Sequence, residues 1–212
     1  MKVISGMQIA GVTSISLLTF YVIIRFFGKH DHRITIHHRF VYVALLSIVM
    51  VDVMLFCQHG WSIRYAAFSI LAVYLMATAY IDMQTLFVYR ILNISVGIAG
   101  CLFVYFIGVP IREQLSGLLI YIVIILVETV MKGMGVGDAY TLMAIVPYML
   151  LLNMENGVLM LLLENIILSN LCFLCMNIKM INWKKLKFKS QVAFTPAVAI
   201  TTLLLVMLNG KI

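Results

Sequence analysis

Apolar runs long enough to cross a bilayer recur along this chain from end to end, and only short polar stretches separate them. A transmembrane helix needs about 20 apolar residues to match a hydrocarbon core of about 30 Å. Of the 212 residues, 64% are hydrophobic and only 11% are charged. Soluble domains carry about 25% charged residues. The pattern predicts an all-α fold, a polytopic membrane helix bundle. Eight segments are expected, near 7–27, 40–57, 63–81, 91–109, 114–131, 138–152, 156–177 and 191–208. The sixth is short for a full crossing at about 1.5 Å per residue. The first is too long for a signal-peptide core and no A-x-A site follows it, so it is expected to stay as a span. Three prolines and no Ser/Gly/Pro-rich stretch leave no linker, which predicts a single integral-membrane domain over residues 1–212.

Charge fixes an expected orientation. Arg25, Lys29, Arg33, Arg39, Arg90, Lys132, Lys179, Lys184, Lys185, Lys187 and Lys189 fall on one side of the eight-span scheme. Lys2, Arg64, Arg112 and Lys211 fall on the other, a split of eleven to four. Cytoplasmic loops hold the excess of Lys and Arg. The odd-numbered connections are therefore expected in the cytoplasm of a cell-membrane protein, with both termini outside. The net charge of +7 has this explanation without nucleic acid as a partner, and membrane lipids are the expected neighbours.

Against that background the acidic residues stand out. Asp31, Glu113 and Glu155 fall in loops, where solvation suffices. Asp52, Asp82, Glu128, Asp138 and Glu164 lie in or at the ends of spans, where ionisable groups are functional candidates by default. Asp82 closes the third span in ATAYIDMQTLFVYR and Asp138 opens the sixth in KGMGVGDAYTLMA. Two complete spans separate them, so both are expected at the same face. Two carboxyl groups brought together share a proton. One then activates water while the other polarises a carbonyl, the chemistry of aspartyl peptide hydrolysis, which needs no metal or cofactor. Gly133, Gly135 and Gly137 precede Asp138. They are expected to give the backbone conformations closed to other residues and to allow close approach. Asp138 would then start a helix, where the dipole favours a carboxylate.

The run Gly133, Met134, Gly135, Val136, Gly137, Asp138 resembles the G-M-G-x-G-D signature of the type IV prepilin peptidase family, GxGD aspartyl proteases with archaeal preflagellin peptidase relatives. Asp82 after its apolar span is similar to the first catalytic aspartate of that family. Phe194 and Pro196 in KSQVAFTP resemble its P-F-x-P start of the last span. The likeness covers residues 63–208. It implies a membrane endopeptidase that removes the leader of prepilin-like or pseudopilin precursors, with Asp82 and Asp138 catalytic and a prepilin-like protein as substrate. Val88-Tyr89-Arg90 stands where the family has Ile-Pro-Asn or Ile-Pro-Asp, and Ala139-Tyr140-Thr141 stands where it has x-Lys-Leu. The cysteine-rich zinc loop that many bacterial members carry after the first span is replaced by GKHDHRITIHHRF, which implies a peptidase without methyltransferase activity.

Two other readings stand beside this one. His30, His32, His37 and His38 in that first loop are residue types that hold metals, though a short basic loop near anionic lipid accounts for them, and no metal is expected. Cys57, Cys101, Cys172 and Cys175 lie in or beside apolar runs; the Cys172–Cys175 spacing is that of two small residues on one helix face. The rival function is a transporter or channel that uses Asp52, Glu128 and Glu164 with a glycine-broken sixth segment.

Overall fold

The computed structural model describes residues 2–131, 134–152, 158–182, 187–188 and 192–209. Among them are eight α-helices: α1 (Lys2–His30), α2 (His38–His59), α3 (Ile63–Thr85), α4 (Arg90–Ile107), α5 (Ile111–Val130), α6 (Val136–Leu152), α7 (Val158–Asn177) and α8 (Thr195–Asn209). Six are long and apolar enough to cross a membrane; α6 and α8 are shorter. The protein is therefore a polytopic helical bundle with the expected number of elements. A 3-10 turn, Ile178–Met180, follows α7. After it, β1 (Ile181–Asn182) pairs antiparallel with β2 (Lys187–Phe188), in a stretch expected to be only a basic loop.

Helix α3 is the hub. It lies against α1, α2, α4, α6 and α8. Phe68, Leu71, Tyr74, Leu75, Ala77 and Ile81 are all buried, so it presents no lipid face along most of its length. One apolar cluster runs through α3 to α8 and takes in Val51 and Leu55 of α2, and a second joins α1 and α2 to the remaining side of α3. The outer helices expose Leu18 and Val22 of α1 and Leu119, Val123 and Leu126 of α5, the surface lipid covers.

Lipid tails are as apolar as leucine, so helices in a membrane associate through close packing rather than through hydrophobic burial. The contact between α4 and α6 illustrates this. A Cβ on Gly100 would lie 2.8 Å from the Pro147 side chain and 2.7 Å from the Tyr148 ring. Only glycine lets α4 approach α6 where Pro147 and Tyr148 stand. The Tyr148 hydroxyl then donates to the Val96 carbonyl at 3.1 Å, and the Tyr74 hydroxyl donates to Asn93 Oδ1 at 2.7 Å. These bonds lock α6 to α4 and α4 to α3, and so fix the relative positions of the helices that carry Asp82 and Asp138.

Two helix ends finish the frame. Helix α3 stops because Leu86 turns left-handed, at φ 54°, with its amide on the Asp82 carbonyl at 2.9 Å. The Thr85 hydroxyl supports the turn through the Ile81 carbonyl at 2.9 Å and the Phe87 backbone. Helix α8 begins at Thr195, four residues later than the sequence pattern suggests. Phe194 supplies the first helical carbonyl, to Val198, and its ring packs on Phe173 of α7. Pro196 is tolerated there because amides in the first turn have no partner within the helix.

Candidate active site

At one end of the bundle three helix termini converge: the C-terminal turn of α3, the first turn of α6 and the start of α8. Asp82 lies in the last turn of α3 and is 4% exposed. Its Oδ2 accepts the backbone amide of Thr195 at 3.0 Å. The first amides of any α-helix lack partners inside it, and the helix end carries positive partial charge. Asp82 therefore caps α8 from another helix. Gln114 does the same for α7, its Oε1 accepting the Val158 amide at 2.8 Å.

Asp138 arrives at the same residue from the other side. The Thr195 hydroxyl donates to Asp138 Oδ1 at 3.4 Å, a long bond. One fully buried threonine thus touches both carboxyl groups, with its amide on Asp82 and its hydroxyl on Asp138. The two aspartates predicted to meet are brought together at one end of the bundle.

Detail around Asp138 differs from expectation in two ways. Helix α6 begins at Val136, so Asp138 is its third residue rather than its first, still inside the turn where the dipole favours a carboxylate. The glycines also act otherwise than predicted. Neither Gly135 nor Gly137 is among the residues with positive φ, so neither holds a conformation reserved for glycine. Space is the reason instead. A Cβ on Gly135 would lie 2.9 Å from Asp138 Oδ2, which folds back over the start of its helix. A Cβ on Gly137 would touch the Val88 side chain at 3.4 Å, because the segment leaving α3 crosses the start of α6 there. Gly133 lies outside the described residues. Val88, at the position where the resembled family has isoleucine, is buried against Gly137 and joins the two aspartate-bearing segments.

The first loop belongs to this end as well. Gln84 Oε1, two residues beyond Asp82, accepts the Thr35 amide at 2.7 Å and faces its hydroxyl at 3.3 Å. The Tyr80 hydroxyl donates to the Thr35 carbonyl at 2.9 Å and accepts the His37 amide at 3.2 Å. Asp31, expected to be merely solvated, is instead an anchor. It pairs with Arg33 at 2.7 Å and accepts the Tyr89 hydroxyl at 2.8 Å, while Tyr89 stacks on Phe27. The Arg33 side-chain hydrogen bonds, then the Arg33 amide and Tyr89, hold the Asp31 carboxyl well below the usual carboxylate range. Burial first, and the Asp31 carboxylate second, push the Tyr89 phenol up to about 12. The loop is strapped over the end of α3 beside Asp82.

The chain matched no known protein family, no curated protein and no solved structure.

The remaining candidates are dispersed. Glu128 is half-buried near the end of α5, and Glu164 is exposed on α7. Neither bonds to Asp52, which lies fully buried within α2. Glu155 is outside the described residues. The His30 ring bonds the Phe26 carbonyl at 2.8 Å, and no metal set of three His, Cys, Asp or Glu side chains forms among the described residues. All four cysteines are free thiols. Thr195 is the site residue that sequence reasoning missed. Its signal was present in the Phe194-Thr195-Pro196 order, since a threonine directly before a proline marks a helix start.

Proposed function

We propose that this protein is a membrane-embedded aspartyl endopeptidase that cuts the leader from prepilin-like or pseudopilin precursors at the cytoplasmic face of the cell membrane. The observation that carries the reading is the convergence of Asp82 and Asp138 on Thr195. Contact with one buried threonine brings the two carboxyl groups into one site, and carboxyl groups placed close together share a proton.

In the proposed reaction the ionised member of the pair takes a proton from water as the water oxygen attacks the scissile carbonyl. The protonated member donates to the carbonyl oxygen, and the tetrahedral adduct forms. Collapse breaks the C–N bond: the protonated member gives its proton to the leaving amine nitrogen, while the ionised member takes one from a hydroxyl of the adduct as the carbonyl reforms. The proton count returns to its starting value, and no metal or cofactor is required. The two acids titrate as a unit, so the roles belong to the pair. The Thr195 amide and the positive end of α8 favour charge on Asp82, and the first turn of α6 favours charge on Asp138. The basic leader of a prepilin supplies cations that a carboxylate pair at the membrane edge attracts, and the basic character of the loops suits anionic lipid headgroups.

Co-expression of a candidate prepilin with the wild type, Asp82→Asn and Asp138→Asn, each at equal membrane level, tests this. Shortening of the precursor by the wild type and by neither variant is expected. Shortening by either variant removes that residue from the pair, and no shortening by the wild type of any prepilin or pseudopilin from its own cell rejects the substrate class.

A further inference from the structure

A second polar centre lies away from the aspartate pair, in the middle of the bundle. Asp52 is 0% exposed. Neither of its carboxyl oxygens accepts a hydrogen bond from any described residue. Three hydroxyls face it: Thr13 and Ser16 from α1 and Ser69 from α3. Thr13 and Ser16 are three residues apart and so share one helix face. All three are buried, and Thr13 Oγ1 and Ser69 Oγ likewise lack a partner among the described residues. The Tyr65 hydroxyl, also buried and without a partner among the described residues, lies beyond Ser69. One carboxyl group and three hydroxyls, from three helices, are thus gathered in one place while both carboxyl oxygens stay without a hydrogen bond from the described residues.

Nothing cationic stands within these helices at that level. Residues 6–24 of α1, 41–58 of α2 and 65–81 of α3 contain no lysine, arginine or histidine, and α8, which also borders α2, contains none at all. The nearest base on the same helix, His59, is seven residues on, about 10 Å along the axis at 1.5 Å per residue. An unpaired carboxylate in so apolar a place is costly, and buried charges are normally paired or bound to a metal.

We propose that Asp52, Thr13, Ser16 and Ser69 form a sodium-ion site that fastens α1 and α2 to α3. The donor set is all oxygen, which suits hard cations. One carboxylate balances one positive charge, whereas a divalent ion would leave a net charge in the membrane. Oxygens hold a calcium-sized ion at about 2.4 Å, and sodium has nearly that radius. Oxygens arranged around such an ion stand further from one another than hydrogen-bonded oxygens do, in keeping with the missing direct bonds. A cleft of about 290 Å³ beside the site has Ser16, Thr19, Ser69 and Tyr74 in a wall that is otherwise apolar.

The test uses the full chain, purified in detergent, with sodium chloride exchanged for choline or potassium chloride at constant ionic strength. Wild-type Tm should rise with sodium and saturate, with a smaller response to potassium. Asp52→Asn should abolish the response. Ser69→Ala, the milder change, should move the sodium midpoint upward by roughly tenfold, the loss of about 1.4 kcal/mol of binding. Asp82→Asn should respond as the wild type does, which keeps this result separate from the peptidase reading. A wild-type Tm equal in sodium and choline overturns the site and leaves Asp52 as a protonated acid. A sodium response retained by Asp52→Asn overturns it too. Should Asp52→Asn fail to fold, an unshifted midpoint in Ser69→Ala decides against it.

Discussion

Asp82 and Asp52 are both buried carboxyl groups in apolar helices, yet their surroundings differ in kind. Asp82 stands at a helix end and receives a backbone amide from the start of another helix. Asp52 stands in mid-helix and receives no hydrogen bond from the described residues. The difference is one of backbone supply. Mid-helix amides and carbonyls are spent on the helix itself, and only the first four amides and last four carbonyls remain free. A carboxyl group at a junction of helix ends can draw on them. One in the middle of a bundle has only side chains, a proton or an ion. The proposed catalysis needs a carboxylate held by fixed donors, and a junction of helix ends has such donors to give. The middle of the bundle provides a place for a structural charge.

Removing the amide from Asp82 would push it toward the condition of Asp52. Thr195→Pro does this while respecting the helix, because proline is favoured at the first helical position and its missing N–H has no partner within the helix. Phe194 is already outside the helix, as the residue before a proline prefers. A hydrogen bond to a charged group contributes about 1.5–3 kcal/mol, so precursor processing should fall about tenfold to a hundredfold. Thr195→Val keeps the amide and removes only the hydroxyl, whose bond to Asp138 is long at 3.4 Å. A loss of a few-fold is expected, and Thr195→Ser should match the wild type. Equal losses in the proline and valine variants would break the comparison, since the amide would then carry no special weight.

Gly135 and Gly137 sharpen it next. A methyl group on Gly135 meets the movable end of Asp138, so Gly135→Ala should displace the carboxyl group rather than unfold the helix. Processing should drop by about tenfold, equivalent to 1.4 kcal/mol, with Tm nearly unchanged. Gly137→Ala meets Val88 at an ordinary 3.4 Å and should cost less activity. If the Gly137 variant were the worse of the two, packing of the 86–89 segment would matter more than carboxyl placement.

Part of this was legible in the sequence. The eight apolar segments and their order follow from hydropathy, because lipid demands a long apolar run for every crossing. That Asp82 and Asp138 share an end follows from the two spans, α4 and α5, that lie between them. The role of the glycines was half legible: GMGVGD announces a close approach, but whether φ or space demands glycine depends on where the Asp138 side chain folds. Thr195 was legible as a helix start, from the proline after it, but not as a partner of Asp82, because that part is played by a backbone amide, which every residue but proline possesses. The strap of the first loop was hidden as well. Thr35 and Gln84 lie 49 residues apart, and no periodicity links them. Asp52 was visible as an intramembrane acid, but its hydroxyl neighbours come from two other helices, α1 and α3.

Asp31 supplies the third case and the smallest expected effect. It is a carboxylate near the bundle end with Arg33, the Arg33 amide and Tyr89 all donating to it. Its carboxyl is held below the unfolded value of about 3.9. A group whose folded value is depressed contributes stability above its unfolded value and loses that contribution as pH falls through the folded one. The strap should therefore hold at neutral pH and loosen in acid below about pH 4, once the carboxyl protonates. Asp31→Asn should lower Tm slightly at pH 7, and the gap to the wild type should close as pH falls into that range. A gap that persists unchanged in acid would mean that shape and the Tyr89 stack, not charge, hold the loop. Asp31 would then differ from Asp82, whose amide from α8 is worth most when the carboxyl is ionised.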